Sequence, residues 1–303
     1  MIESLHAVLI ALASAVQGAQ GMVRIETQAI AAPSVIMALE GARKRGVPVS
    51  VVLGAKAEYT LDAKGQPTGG NRPYDSGPQG MELRALDAMK AAVFIPPRFS
   101  ELDRPVFEPG IELNASFAIV DSRRASLCTG AFSIGNAGVC WTTSDPGVVS
   151  ALIGLHDTDR TDGVSESVEA SVSKKLAAQD MILTPANSAD FLLLLRQPWK
   201  QVVASHLGDG SALEALLASR MPATLWTAPN GTYARTALDR LRRAGWQIRQ
   251  LPQPFSGTVL VGSKMAYIGS QKVEQAHLEK SRGLGIVLGQ QHIARIEQTL
   301  QLQ

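Results

Sequence analysis

The sequence predicts an α/β fold made of two similar halves, and three observations support this prediction. A strand pattern at 22–28, a helix opened by Ala32-Pro33 and a buried strand pattern at 47–53 follow one another. That succession indicates a βαβ unit with parallel strands and a right-handed crossover. The second half repeats this order of elements, and each half then ends with two short strands around a turn. The length of 303 residues suits about two such units.

The first half begins with an apolar stretch, Ala7 to Val16, that we interpret as a buried helix. It is too short to span a bilayer. No Lys or Arg precedes it, so the positive region of a signal peptide is missing. We therefore predict no transmembrane segment and a cytoplasmic protein, or a periplasmic one if a leader has been removed.

The remainder of the first half is predicted to alternate loops with short elements. A segment rich in Gly, Pro, Asn and Asp at 55–79 predicts a long loop, and such loops often bind ligands or act as lids. Strands at 111–120 and 125–129 are expected to pair around a turn at Asp121 to Arg124. Between the loop and these strands we expect a helix at 80–91, a strand at 92–95 and a second loop at 96–109.

The second half is predicted to use the same elements in the same order. Its strands are expected at 201–207, 223–227, 246–251, 259–261, 265–268 and 284–288, and its helices at 188–196, 211–220, 232–244 and 292–300. We expect one repeat over 1–155, a polar linker over 156–179 and the second repeat over 180–303.

Composition indicates a compact globular protein and disfavours several kinds of partner. Hydrophobic residues make up 45% of the chain and charged residues 18%. The formal net charge of +2 is small for a dedicated nucleic-acid binder, so nucleic acid is an unfavoured partner. No His or Cys spacing indicates a metal, and nothing in the sequence indicates a cofactor.

The two cysteines, Cys128 and Cys140, form no disulfide framework and no C-x-x-C pair. We interpret them as small buried hydrophobic residues. The flanking sequence predicts consecutive short strands, which leaves a disulfide bridge between them open.

Four stretches of the chain resemble, in their order, the phospholipase D superfamily. In that family each half carries His-x-Lys, four residues and Asp, and a Gly-Ser or Gly-Gly pair follows. The resemblance covers nearly the whole chain and implies two repeats about a pseudo-twofold axis, each a mixed sheet flanked by helices. The stretches are IMALEGARKRGVPVSVVL at 36–53, LNASFAIVDSRRASLCT at 113–129 with Gly130 after it, FSGTVLVGSKMAYIGS at 255–270 and SRGLGIVL at 281–288.

Most of the functional positions of that motif are replaced here. Only the first Asp is kept, and Gly283 stands near the position of a later family Glu. At the His, Lys and Asp positions stand Asn114, Ser116 and Asp121 in the first half, and Ser256, Thr258 and Ser263 in the second.

The resemblance implies covalent catalysis, with one His attacking phosphorus and the other protonating the leaving alcohol. An Asn amide is not a nucleophile, and Ser256 has no His near it in sequence to take its proton. Losing such a nucleophile costs about 10⁶ in rate. We therefore expect a catalytically degenerate protein that binds or scaffolds. Its vestigial phosphodiester cleft would be lined by Asn114, Ser116, Ser256 and Thr258.

Other interpretations stay open at this point. The chain can be an active phosphodiesterase or phosphatidyltransferase with a non-standard site, for which His206 at a strand end is a candidate, or a nucleic-acid or membrane-surface binding module. Lys264 is a candidate source of positive charge in the cleft, although a surface turn is favoured there. The partners we expect are another protein or a phosphate-containing ligand.

Overall fold

The computed structural model describes residues 1–53, 60–61, 67–68, 92–94, 112–135, 137–161, 168–219 and 221–302. The helix predicted at 80–91 and the loop predicted at 96–109 lie outside these residues, as does most of the loop predicted at 55–79.

The first half starts with a capped helix and continues into the predicted βαβ unit. The Ser4 hydroxyl accepts the Ala7 amide at 3.3 Å and so caps helix α1. Pro33 occupies the first turn of helix α2, where a missing amide hydrogen is tolerated. The helices are α1 (Leu5–Gly18), α2 (Pro33–Lys44) and α3 (Pro146–Thr161). The strands are β1 (Ile2–Ser4), β2 (Val23–Thr27), β3 (Ile30–Ala31), β4 (Val49–Leu53), β5 (Thr60–Leu61), β6 (Pro67–Thr68), β7 (Ala92–Phe94), β8 (Glu112–Leu113), β9 (Phe117–Val120), β10 (Arg124–Cys128), β11 (Phe132–Ser133) and β12 (Val139–Thr143).

The second half has its predicted strands and helices, but the strand predicted at 223–227 continues to Tyr233, where the helix predicted at 232–244 was expected to begin. Additional elements lie at 170–177, 181–184 and 275–280. Its helices are α4 (Ala170–Ala177), α5 (Ser188–Leu195), α6 (Ser211–Ala218), α7 (Arg235–Arg243), α8 (Gln275–Lys280) and α9 (Ile293–Leu300). Its strands are β13 (Met181–Thr184), β14 (Gln201–Leu207), β15 (Thr224–Tyr233), β16 (Gln247–Gln250), β17 (Thr258–Val261), β18 (Met265–Gly269) and β19 (Ser281–Gly289).

The two halves form two mixed sheets with the same strand order. The first sheet runs β1-β12-β10-β9-β2-β4-β7, and the second runs β13-β19-β18-β17-β14-β15-β16. In each sheet the last three strands are parallel, and the other neighbours along this order are antiparallel. The predicted α/β fold with an internal repeat is thus confirmed.

The two sheets share one hydrophobic core, and helices cover their other faces. Phe117 of β9, Val259 of β17 and Leu152 of α3 belong to the shared core between the sheets. A second core lies between the first sheet and helices α1 and α2, and a third lies between the second sheet and helices α5, α6 and α7. Because the shared core takes residues from both halves, the line where the halves meet is buried.

Two elements cross from one half to the other. Strand β8 of the first half pairs in parallel with the start of β19. Helix α9 of the second half packs against β1, where Arg295 Nε donates to the carbonyl of Ile2 at 3.4 Å. The predicted boundaries of 1–155 and 180–303 stay a prediction, and residues 156–179 include the end of α3 and all of α4.

The interpretation of the cysteines as two unlinked hydrophobic residues was wrong. Cys128 and Cys140 are directly opposite each other on the antiparallel pair β10 and β12, with Cα atoms 4.1 Å apart, and a disulfide joins them. Short strands were expected around both cysteines, but no bounds were predicted for β12, so the register that brings the two sulfur atoms together was missing. No helix in the described part of the chain is both long and apolar enough for a membrane span.

Candidate functional site

The end of the first motif segment packs against the start of the second. A β-carbon on Gly130 would lie 3.0 Å from Cβ of Ser256, and one on Gly257 would lie 2.3 Å from the carbonyl oxygen of Thr129. Next to this contact the Ala137 amide donates to the carbonyl of Pro254 at 2.6 Å. The two halves therefore meet at their motif segments, with backbone against backbone.

The hydroxyl groups at the two Lys positions are engaged inside the protein. Ser116 and Thr258 have at most 1% of their surface exposed. The Ser116 Oγ lies 3.0 Å from the Thr27 Oγ1, and the Thr258 hydroxyl donates to the carbonyl of Gln271 at 2.7 Å. Neither side chain carries charge, so these positions cannot provide the charge-assisted hydrogen bonds that a lysine gives to phosphate.

Asp121, the retained motif aspartate, has a structural contact. Its carboxylate accepts the amides of Gly21 at 2.6 Å and Gln20 at 3.1 Å, so it fixes the chain between α1 and β2. Its own φ of 54° places it in a turn. This turn lies at the end of β9 away from Asn114 and Ser116.

Ser263 and Lys264 are exposed in the equivalent turn between β17 and β18. Thr258 is the first of the four residues of β17, and this turn follows the last of them. At 3.3 Å per residue, the backbone of the turn is roughly 13 Å from that of Thr258. The ammonium of Lys264 is therefore distant from the second His position.

Asn114 occupies the first His position and is attached to the second half. The strand predicted at 111–120 is interrupted there, because the amides of Asn114 and Ala115 both donate to the carbonyl of Arg282 at 2.8 Å. The Asn114 side chain is 6% exposed, and its Nδ2 has no hydrogen-bond partner within the described residues. Arg282 is at the start of β19, in the stretch at 281–288 that was quoted above for the resemblance to the phospholipase D superfamily.

The guanidinium of Arg282 belongs to a fully buried group of ionisable side chains. Its Nη2 lies 3.2 Å from the Asp159 Oδ1 on α3, and both side chains are completely inaccessible. Glu26 of β2 and His156 of α3 are equally buried, with the His156 Nδ1 at 3.9 Å from the Glu26 Oε2. The His156 Nε2 lies 2.9 Å from the Ser50 hydroxyl. We call Glu26, His156, Asp159 and Arg282 the buried charge cluster.

The surroundings of this cluster change the protonation of two members. Burial and the neighbouring Asp159 carboxylate raise the pKa of Glu26 well above its ordinary value, and the charge of Arg282 only partly opposes this. Burial lowers the pKa of His156 to about 4. These surroundings therefore favour the protonated form of Glu26 and the neutral imidazole of His156.

A second polar group lies at the carboxyl end of β14, beside the second motif. The Ser205 hydroxyl accepts the Gly257 amide at 3.0 Å and lies 3.0 Å from the His206 Nδ1. The His206 ring is 5.4 Å from that of His277, measured between centroids. Burial, with the charge of Lys272, lowers the pKa of His206 to about 4.

The first half contributes one member to this group. Glu112 of β8 has its Oε2 3.8 Å from the His277 Nδ1 and 3.8 Å from the Lys272 Nζ. We call Glu112, His206, Lys272 and His277 the histidine group. Within the described ranges no three His, Cys, Asp or Glu side chains are arranged to hold a metal ion.

Sequence reasoning missed most of these residues. His206 was considered because it ends a predicted strand, and Arg282 lies in a stretch quoted for the family resemblance. Glu26 alternates with apolar residues along β2 and looks like a solvent-facing position, so nothing local marks it as buried. Asp159 lies on α3, which was not predicted.

Comparisons with known proteins agree with this architecture. No protein-family model and no curated protein matches the sequence. The phosphatidylserine synthase of Haemophilus influenzae Rd KW20 matches with a TM-score of 0.66 and 10% identity, over 98% of this chain and 85% of that one. The polyphosphate kinase of Porphyromonas gingivalis matches with a TM-score of 0.62 and 15% identity, over 95% of this chain.

The chain spans only 44% of the polyphosphate kinase. Nuc from Salmonella typhimurium, a phospholipase D family member, matches 53% of this chain at 15% identity, covers 91% of its own length and has a TM-score of 0.37. The two whole-chain matches and the duplicated strand order agree with the resemblance found in the sequence. This protein has the fold of the phospholipase D superfamily.

Proposed function

We propose that this chain is a catalytically degenerate protein of phospholipase D fold that binds a phosphate-containing ligand beside the contact between its repeats without hydrolysing it. The main support for the proposal is that the hydroxyl groups of Ser116 and Thr258 are unavailable to a ligand. Both hydroxyls are buried and hydrogen-bonded to the protein itself at the positions where the family has lysines. Residues so engaged cannot stabilise the charge that develops on a phosphoryl group in a transition state.

The contact between the repeats supports the same proposal. Gly130 and Gly257 lie against Ser256 and Thr129 so closely that added β-carbons would be at 3.0 Å or less from them. This leaves little room between the motif segments for a reacting phosphoryl group. Ser256 is half-buried, so it can still contact a ligand from the outside.

Within the histidine group, Lys272 carries positive charge that the motif positions lack, and Glu112 at 3.8 Å partly balances it. Lys272 follows Gln271, whose carbonyl accepts the Thr258 hydroxyl, so its backbone lies beside the second motif. We propose that the Lys272 ammonium, with the imidazoles of His206 and His277, contacts the phosphate of the ligand. One hydrogen bond to a charged group contributes about 1.5–3 kcal/mol, so the loss of the Lys272 contact alone should weaken binding about tenfold or more.

Two measurements test this proposal. Assays with a generic phosphodiester, a phospholipid and single-stranded DNA should show no turnover above background. Calorimetric titration with a phosphate monoester should show binding that Lys272→Met weakens by about tenfold or more. Lys264→Met is the matched control, because Lys264 is an exposed lysine at the far end of β17, and it should bind like the unmodified protein. Equal binding by both variants would contradict the role of Lys272.

An active phosphodiesterase is the second candidate function, and one observation favours it. Two imidazoles lie 5.4 Å apart beside Gly257, where a nucleophile and a general acid can act together. Turnover that is abolished by His206→Asn and His277→Asn, and unchanged by His6→Asn on the exposed surface of α1, would replace the first proposal with this one.

A further inference from the structure

The buried charge cluster joins three elements of the two repeats in a region without solvent. Glu26 comes from β2 and Asp159 from α3, both in the first half, whereas Arg282 comes from β19 in the second. All three side chains have 0% of their surface exposed. Ions in such a place require compensation, because an uncompensated buried charge costs several kcal/mol.

Counting charges shows that the cluster needs one extra proton. It contains two carboxyl groups, one guanidinium that is always charged and one imidazole. With both carboxyls ionised and the imidazole neutral, the net charge is negative. Neutrality therefore requires one proton on Glu26, Asp159 or His156, and Asp159 is the member held ionised by the guanidinium 3.2 Å away. Burial and the Asp159 carboxylate raise the pKa of Glu26 and favour its protonated form, and the charge of Arg282 lowers that pKa by less.

Arg282 links this cluster to the first motif segment. Its carbonyl oxygen accepts the amides of Asn114 and Ala115, both at 2.8 Å. Its side chain is fixed by Asp159, 3.2 Å away on the helix that packs between the sheets. A change in the charge around the guanidinium therefore acts on the residue that attaches the first motif to the second repeat.

We propose that the buried charge cluster is a pH-sensitive lock between the repeats, closed while one proton is retained on Glu26 and weakened when that proton is lost. The lock holds Asn114 and Ala115 against β19 while the cluster is neutral. It does not depend on the function proposed for the cleft, because no member of the histidine group takes part in it.

The other charged groups near Glu26 do not remove this requirement. Arg24, on the same strand, forms an ion pair with Asp157 of α3 at 3.3 Å. The positive charge of Arg24 is therefore already balanced by Asp157. Arg160, also on α3, is exposed to solvent. The neighbouring strands β4 and β9 contribute no titratable side chain in the described residues.

Infrared spectroscopy tests where the proton is. We expect the unmodified protein at neutral pH to show the C=O stretch of a protonated, buried carboxylic acid, and Glu26→Gln to lose that band. Glu40→Gln, which removes a surface carboxylate that pairs with Lys44, should leave the band unchanged. A spectrum of the unmodified protein without the band at neutral pH would place the proton elsewhere and overturn the proposal, whether or not the variant folds.

Hydrogen exchange tests whether the proton acts as a lock. After correction for the intrinsic exchange rate, protection of the Asn114 and Ala115 amides should fall as the pH rises from the ordinary pKa of a glutamate to the raised native pKa of Glu26. The fall should approach tenfold for each pH unit and should level off once native Glu26 is ionised. In Glu26→Gln the same protection should be independent of pH. If protection in the unmodified protein is independent of pH over the whole range below the loss of the carboxylic-acid band, Glu26 is only a buried acid and the lock does not exist.

Discussion

The α-carbon of Gly257 lies so close to Thr129 that a β-carbon there would be 2.3 Å from the Thr129 carbonyl oxygen. The carbonyl oxygen of Gly269 would be 2.4 Å away on the other side, and the φ of Gly257 is +93°. Both the space and the backbone conformation therefore require glycine at this position. This contact brings the second motif directly against the first repeat.

Gly257→Ala should destabilise the protein by about 2–5 kcal/mol, because left-handed strain and overpacking act together. Urea unfolding followed by circular dichroism measures this change. Gly18→Ala is the control, since a β-carbon there meets nothing within 4 Å and alanine favours the helix that Gly18 ends. An alanine at 257 as well tolerated as one at 18 would show that the repeats are not in such close contact.

Arg282→Met should destabilise the protein by roughly 3–5 kcal/mol, because it leaves the Asp159 carboxylate buried without its cation. The same unfolding experiment provides the measurement. Arg240 pairs with Glu214 on the surface, and Arg240→Met should change stability little. If the two arginine variants behave alike, the buried ion pair does not stabilise the interface.

Cys128 and Cys140 should be oxidised in protein purified without reductant, and a thiol reagent should find no free sulfhydryl after denaturation. Replacing both by alanine should cost about 3 kcal/mol, the loop-closure value for a bridge spanning 12 residues. Two free thiols would contradict the disulfide. Since such bridges persist mainly in oxidising compartments, that result would also favour the cytoplasmic location expected from the sequence.

His156 should make the protein less stable in acid. Its pKa is lowered to about 4 by burial, whereas the unfolded chain takes up a proton near 6.5. Between these values the unfolded state binds more protons, so the stabilising contribution of this group is complete above pH 6.5 and lost as the pH falls through 4. The loss amounts to roughly 3 kcal/mol.

Nuclear magnetic resonance of the His156 ring should show no protonation at pH 6. Unfolding free energies measured at several pH values should give the dependence of stability on pH. His156→Gln should remove most of this acid dependence while keeping a donor for Ser50. Glu26 acts in the opposite sense, because its raised pKa means that the native state is destabilised as the pH rises. A ring that titrates near 6.5 would show that His156 is solvated.

Strands and helices marked by their own residues, such as an apolar strand pattern or a proline at a helix start, could be predicted from the sequence. Strand β14 was predicted with its observed bounds, and Pro33 opens α2 as predicted. The interruption of the strand at Asn114 could not be predicted, because the carbonyl of Arg282 that causes it lies far along the chain. The disulfide was missed for the same reason, since its register depends on a strand that carries little alternation.

The candidate site was predicted as a set of positions and not as a set of contacts. The motif residues were identified by their order, and their mutual placement at the repeat interface was an expectation from the family resemblance. That Thr258 bonds to Gln271 and Ser116 to Thr27 depends on tertiary packing that no spacing encodes. The buried charge cluster could not be predicted from the sequence, because Glu26 and Asp159 become buried only when the two sheets pack together.

The exchange of β8 and α9 between the halves makes each repeat dependent on the other. Cutting the chain in the linker would deprive β19 of its parallel neighbour and β1 of the helix that covers it. Neither fragment would then bury its own apolar surface. Despite its duplicated strand order, the molecule should melt in a single calorimetric transition and should be recovered from separate fragments only when both are present.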